Sequence, residues 1–217
     1  MRPPSLCAAL GCGLSLALSL APVDAAETRS TDLGAHPLTY TIDWLSATKA
    51  HVTARLVIPS DADRVWAVLT DYDHLAEFVP YLSDSRLTRR EANPLILHQE
   101  GGLWFPFYQL RSRVDFEVRE EPREAILFKA VGGDFRVYEG SWRLSKVAEG
   151  TGLAYEATIE PDFWVPRWLL WDLERQILKG TFRAILRRCR REEAPLRGTS
   201  LDRSVEEEAT PESSPAS

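Results

Sequence analysis

The chain has 217 residues, a formal net charge of −6, three cysteines and seven tryptophans. That length supports one domain with a sizeable core plus its ends. The acidic balance excludes a general nucleic-acid-binding surface.

The first 25 residues read as a secretory signal. Arg2 and the free amine give a positive start, and Leu6 to Ala21 runs without a charge. Pro22 breaks the run, and Val23-Asp24-Ala25 offers a cleavage site after Ala25. The alternative, an uncleaved anchor, needs about 20 apolar residues, more than this run supplies. A lipoprotein reading through Cys12 conflicts with the apolar run that continues from Leu14 to Leu20. The expectation is therefore a periplasmic or secreted protein. Cleavage removes Cys7 and Cys12 and leaves Cys189, so the mature domain has no internal disulfide and must stand on its core.

Residues 26–38 are polar and aperiodic, and read as a linker. Thr39 to Trp44 suits a short strand. Val52, Ala54, Leu56 and Ile58 alternate with polar neighbours up to Pro59, a half-buried strand. Ser60 or Asp61 can cap a helix with Val65, Trp66, Val68 and Leu69 on its apolar stripe. Asp71 or Asp73 can cap a second short helix through Leu75 and Phe78, ended by Pro80. Trp66, Leu69, Tyr72 and Phe78 read as helix-to-sheet packing.

The period then changes to two. Ser85 to Glu91 and Leu95 to Gly101 form strands. Tyr108, Leu110, Ser112, Val114, Phe116 and Val118 share one face of the next. Ile126, Phe128 and Ala130 continue the inward set, with Gly132-Gly133-Asp134 as a turn. Tyr138, Gly140, Trp142 and Leu144 face inward on the following strand. Leu153, Tyr155, Ala157 and Ile159 do so on the last, closed by Pro161. From Trp164 to Arg191, Trp168, Trp171, Leu178, Phe182, Ile185 and Cys189 recur at helical spacing, a long amphipathic helix. Cys189 is read there as a core-facing or boundary residue. Residues 192–217 are acidic, apolar-poor and expected to be disordered. The predicted architecture is α+β: a twisted antiparallel sheet over residues 39–191, with two short helices after the first strand. The long C-terminal helix is the element large enough to cover the sheet, which leaves a cavity beneath it.

The run from Val52 to Pro80 carries Val65-Trp66-Ala67-Val68-Leu69-Thr70-Asp71-Tyr72 and Phe78-Val79-Pro80. It resembles the opening of the polyketide cyclase/dehydrase and lipid-transport family of the START-like (SRPBCC) superfamily, which also holds coenzyme-Q-binding START proteins. Gly140-Ser141-Trp142-Arg143-Leu144 and the closing helix fit as well. The resemblance covers residues 50–191. It implies a helix-grip fold with a deep, mostly apolar cavity under the C-terminal helix. Function is less constrained, since one fold hosts carriers, receptors and enzymes.

No catalytic motif stands out. His36, His51, His74 and His98 lie in no metal-ligating spacing, so neither a metal nor a cofactor is expected. Aromatic residues are the informative feature. Trp104, Phe107 and Tyr108 cluster at one strand connection, and Trp168 and Trp171 at the start of the helix. With the inward Ser112, Phe128, Tyr138, Trp142 and Tyr155 they are the candidate cavity residues. The strand phases turn Asp115, Glu117, Glu139 and Glu156 outward and place Asp134 in a turn. The expected function is a carrier or binder of a hydrophobic small molecule: a lipid, an isoprenoid quinone or a polyketide-like aromatic. The alternatives are a cyclase- or dehydratase-type enzyme, or an envelope module that docks through its basic helix. Residues 164–191 carry eight basic and two acidic side chains. Arg183, Arg187, Arg188, Arg190 and Arg191 are the candidates for a contact with a membrane surface. The other reading is a solvated helix face.

Overall fold

A computed structural model describes residues 28–89, 94–105, 108–163 and 167–191, with side chains for all of these except 103–105, 108, 109 and 167–174. The expected signal and acidic tail lie outside the described residues. The elements run in chain order β1 (Arg29–Asp32), β2 (Pro37–Trp44), β3 (Ala50–Ile58), α1 (Ala62–Thr70), a single 3-10 turn (Tyr72–His74) and α2 (Leu75–Phe78). Then come β4 (Leu82–Arg89), β5 (Leu95–Phe105), β6 (Tyr108–Glu121), β7 (Ala125–Gly133), β8 (Phe135–Val147), β9 (Gly150–Pro161) and α3 (Arg167–Arg191).

The nine described strands form one antiparallel sheet in the order β1-β2-β3-β9-β8-β7-β6-β5-β4. Successive hairpins explain all of this order but one pair. β3 joins β9, with Ala50 opposite Ile159 and Ile58 opposite Thr151. The α1–α2 connection therefore carries the chain from mid-sheet to the far edge at β4.

Alternation dictates the burial. Val52, Ala54, Leu56 and Ile58 of β3 are all buried, as are Leu153, Tyr155, Ala157 and Ile159 of β9. α3 lays Leu178, Phe182, Ile185, Leu186 and Cys189 on this face, so Cys189 is a core residue. α1 begins at Asp61, whose carboxylate accepts from the Arg64 amide at 2.7 Å and so satisfies one of the amides left unpaired at the helix start. It buries Val65, Val68 and Leu69. Neither expected cap serves α2. The Asp73 carboxylate accepts from the Leu87 amide at 2.9 Å and ties the turn to β4, while Asp71 accepts from His74 Nδ1 at 2.6 Å.

Two expectations need correction. The segment read as linker contains β1 and the first residues of β2, and Leu33 and Leu38 are buried there. Backbone pairing to β2 holds Arg29-Ser-Thr-Asp32 in place, and it leaves no trace in side-chain periodicity. Gly132 and Gly133, read as part of a turn, continue the ladder instead, opposite Asp115 and Val114. A register shift follows on β6 between Asp115 and Phe116, and the chain reverses at Asp134.

Candidate functional site

The nearest backbone neighbours of α3 are α1, β3 and α2. Strands β5 to β9 and α3 enclose a cavity of about 310 Å³. α3 supplies Ile177, Leu178, Thr181, Phe182 and Ile185 to its wall, and β6 supplies Ser112, Val114, Phe116 and Val118.

The floor is a connected set of rings. Phe116, Phe128 and Tyr138 meet edge to face, with centroids 5.0–5.8 Å apart. Phe128 stacks on Tyr155 at 6.1 Å, and Trp142 lies 4.6 Å from Tyr155 and 5.4 Å from Phe182 of α3. These are the edge-to-face and offset arrangements that ring quadrupoles favour. The Tyr138 and Tyr155 hydroxyls approach to 3.4 Å, placing two phenols together on the ring-lined wall. Gly140, inward on β8 beside Tyr138, serves the sheet itself. A Cβ there would come within 2.1 Å of the Glu156 carbonyl oxygen, so its absence lets β8 and β9 close on each other.

The rim is built from the α2–β4 loop, β5, β6 and α3. Val79, Pro80, Tyr81 and Leu82 line it, with Gly101 and Gly102 of β5. Tyr81 holds a left-handed φ of 70°, and its carbonyl accepts from the Gly102 amide at 2.8 Å. Pro80 and Tyr81 ride across α3 at Gly180, where a Cβ would meet Pro80 Cγ at 2.8 Å and Tyr81 Cε2 at 3.2 Å. Tyr81 and Ile177 line the cavity and remain 38% and 37% exposed. They mark its mouth.

Polar groups on the wall are few. Beyond the tyrosines they include Ser112, Thr181 and Gln99, whose amide donates to Ser85 Oγ at 3.3 Å. Glu100 is the one carboxylate among the described lining residues. Its side chain is half exposed and bonds His98 Nε2 at 3.2 Å on the outer side of the sheet. Asp115, Glu139 and Glu156 also lie outside, bonded to His98, Lys129 and His51. The hydroxyl of Tyr72, a lining residue, donates to the exposed Glu120 at 2.7 Å. Burial, then the carboxylate, push that phenol above its ordinary range. Among the described residues, no group of three His, Cys, Asp or Glu side chains is arranged to hold a metal.

Five of the ten sequence-proposed cavity residues line this space: Ser112, Phe128, Tyr138, Trp142 and Tyr155. Phe107 lies outside the described residues, and Trp104, Tyr108, Trp168 and Trp171 lie outside the described side chains. Sequence reasoning missed Tyr81, Gln99 and Thr181. It read Leu69 and Tyr72 as core packing, and both also face the cavity. Glu120 was findable, because it continues the parity of Ser112, Val114, Phe116 and Val118.

A family model described as polyketide cyclase / dehydrase and lipid transport matches residues 58–185. Among solved structures, the chain is similar to a STAR-related lipid transfer protein from Xanthomonas axonopodis. The identity is 18% and the TM-score 0.61, covering 77% of this chain and 99% of that one. Human STARD10 gives 10% identity and 0.59, over 77% of this chain and 75% of that one. The Zhui aromatase/cyclase from Streptomyces sp. R1128 gives 14% and 0.56, over 68% and 97%. At such identities the likeness shows the fold alone: a START-like, helix-grip α+β domain. No curated protein sequence matches the chain.

Proposed function

The chain belongs to the polyketide cyclase / dehydrase and lipid transport family, and from that premise we propose that it binds and carries a hydrophobic small molecule under α3. The observation that carries this reading is the ring-lined cavity with its paired phenols. Small-molecule sites occupy about 300–1,000 Å³ and are mostly apolar with a few placed polar groups. A cavity of about 310 Å³ suits a few fused rings or one chain better than a two-chain lipid. The phenols can donate to a carbonyl or hydroxyl oxygen. An isoprenoid quinone or a polyketide-like aromatic therefore fits better than a pure hydrocarbon.

A cyclase or dehydratase needs an acid or base beside its substrate. The described wall offers phenols and Glu100, and the Glu100 carboxylate is engaged on the outer face. Carriage is therefore preferred over chemistry, although the structural neighbours include a cyclase.

The positive start, uncharged run and small-residue site of residues 1–25 support an exported, periplasmic or secreted location. N-terminal sequencing of the mature chain should start at Ala26. A chain that keeps Met1 in the cytosol would remove the export reading. Native mass spectrometry on protein from its own compartment, followed by organic extraction, tests the cargo. A stoichiometric apolar compound is expected. Empty protein that takes up no quinone, aromatic polyketide or fatty acid would overturn the reading.

A further inference from the structure

Arg183, Arg187 and Arg191 stand at i, i+4 and i+8 on α3, and all three are exposed. This spacing sets them on one stripe of the helix. Arg190, also exposed, lies beside His36 at the edge of that stripe. Three arginines elsewhere on the surface meet carboxylates: Arg86 meets Asp84, Arg123 meets Asp63 and Arg136 meets Asp162. Among the described residues, no carboxylate pairs with Arg183, Arg187 or Arg191. Like charges therefore persist side by side on one helix of a chain whose net charge is −6.

The same stripe runs to the cavity mouth. Gly180 lies three residues before Arg183, and Tyr81 packs across it. Tyr81 and Ile177 are two of the large apolar side chains left exposed, and both line the cavity. One surface thus combines an arginine row with an apolar rim around the opening. Guanidinium groups match phosphate oxygens in a two-pronged geometry. Tyrosine favours the boundary between headgroup and acyl chain. A long polyanion is a poorer fit, because it would run past the row onto an acidic body.

We propose that this face of α3 docks on an anionic phospholipid bilayer, with headgroup phosphates on Arg183, Arg187 and Arg191 and with Tyr81 and Ile177 at the interface. The cavity mouth then opens toward the membrane, the phase in which an apolar cargo resides. The inference rests on the cavity's holding such a cargo, and the two can fail separately.

The test is co-sedimentation of the full chain with vesicles of phosphatidylcholine alone and of phosphatidylcholine mixed equally with phosphatidylglycerol. Binding is expected to the mixed vesicles only, and to weaken as salt rises. Each arginine replaced in the series Arg183→Gln, Arg187→Gln, Arg191→Gln should weaken it about fivefold. The extractable cargo of these variants should match the parent's. The pair Tyr81→Ser and Ile177→Ser should weaken vesicle binding while leaving binding to soluble polyglutamate as it was. Equal binding to both vesicle types, or none to either, overturns the docking whatever the cargo result. Binding to polyglutamate as tight as to vesicles, indifferent to the Tyr81 and Ile177 changes, also overturns it and points to an acidic protein partner. Normal docking by a chain that never holds cargo would fail the carrier reading alone.

Discussion

The two faces of the sheet are built from different chemistry on the same strands. On the inner face, Phe116, Phe128, Tyr138, Trp142 and Tyr155 form one contiguous set with Phe182. On the outer face, alternate residues of those strands carry charge: Asp115 meets His98, Glu139 meets Lys129, and Arg136 meets Glu160 and Asp162. Apolar area removed from water is worth about 25 cal/mol per Å², whereas exposed ion pairs are worth about 0–1 kcal/mol. Stability should therefore follow the rings and tolerate loss of the charges. Ligand specificity should follow the few hydroxyls set among the rings.

The sharpest way to break this contrast is Phe182→Ala. Phe182 is fully buried where α3 meets Trp142, so denaturant unfolding should show a loss of about 3–5 kcal/mol. A loss below about 1 kcal/mol would mean that the helix is held elsewhere. Gly180→Leu comes next. The new side chain must displace Pro80 and Tyr81, and overpacking costs about 1–3 kcal/mol. Thermal melts measure it, and an unchanged melt would show that the loop yields freely. The double change Tyr138→Phe and Tyr155→Phe should weaken cargo binding about two- to tenfold for one hydrogen bond lost to the ligand, since a hydrogen bond is worth about 0.5–1.5 kcal/mol. Unaltered affinity in titration calorimetry would free the ligand from any need of a polar oxygen.

The outer face supplies the smaller effects. His98 faces Asp115, Glu100 and Arg86. The hydrogen bond it donates to Asp115, with a further one to Glu100, raises its pKa above the ordinary value against the opposing effects of burial and Arg86. A raised folded-state pKa means that the charged imidazole stabilises the fold. The contribution is fully present below the unfolded value and is lost as pH rises through the folded one. The stability difference between wild type and His98→Gln should therefore be larger at about pH 5 than at about pH 8. A flat difference would show that the contact does not respond to charge. Lys129→Ala, which breaks an exposed pair with Glu139, should change stability by less than about 0.5 kcal/mol.

Strand phase was legible because one face of each strand is buried, and a one-residue slip would expose every ring. β6, β8 and β9 therefore appear in the sequence with the faces they have in the fold, and α3 with its Leu178, Phe182, Ile185 and Cys189 seam. Legibility stops where backbone rather than side chain does the holding. Arg29 to Asp32 is an edge strand with no apolar pattern, and the Gly132–Gly133 ladder depends on a register shift. The cavity floor was legible through Phe128, Tyr138, Trp142 and Tyr155, which share the inward parity. The rim was not. Tyr81 sits in a loop with a left-handed φ, and its place at the mouth depends on Gly180, about a hundred residues later in the chain.

The pairing of β3 with β9 sets an order of events in time. It closes a loop of about a hundred residues, and folding rates fall as contacts become more distant in sequence. Until residues 150–161 have emerged, β3 is paired with β2 on one side only, and its apolar face has no helix over it. Local hairpins such as β5–β6 and β8–β9 can form early, since their contacts are near. The cavity cannot, because Tyr155 and Ile159 of β9 and Leu178, Phe182 and Ile185 of α3 belong to its wall. The ligand site is thus the last part of the molecule to come into being.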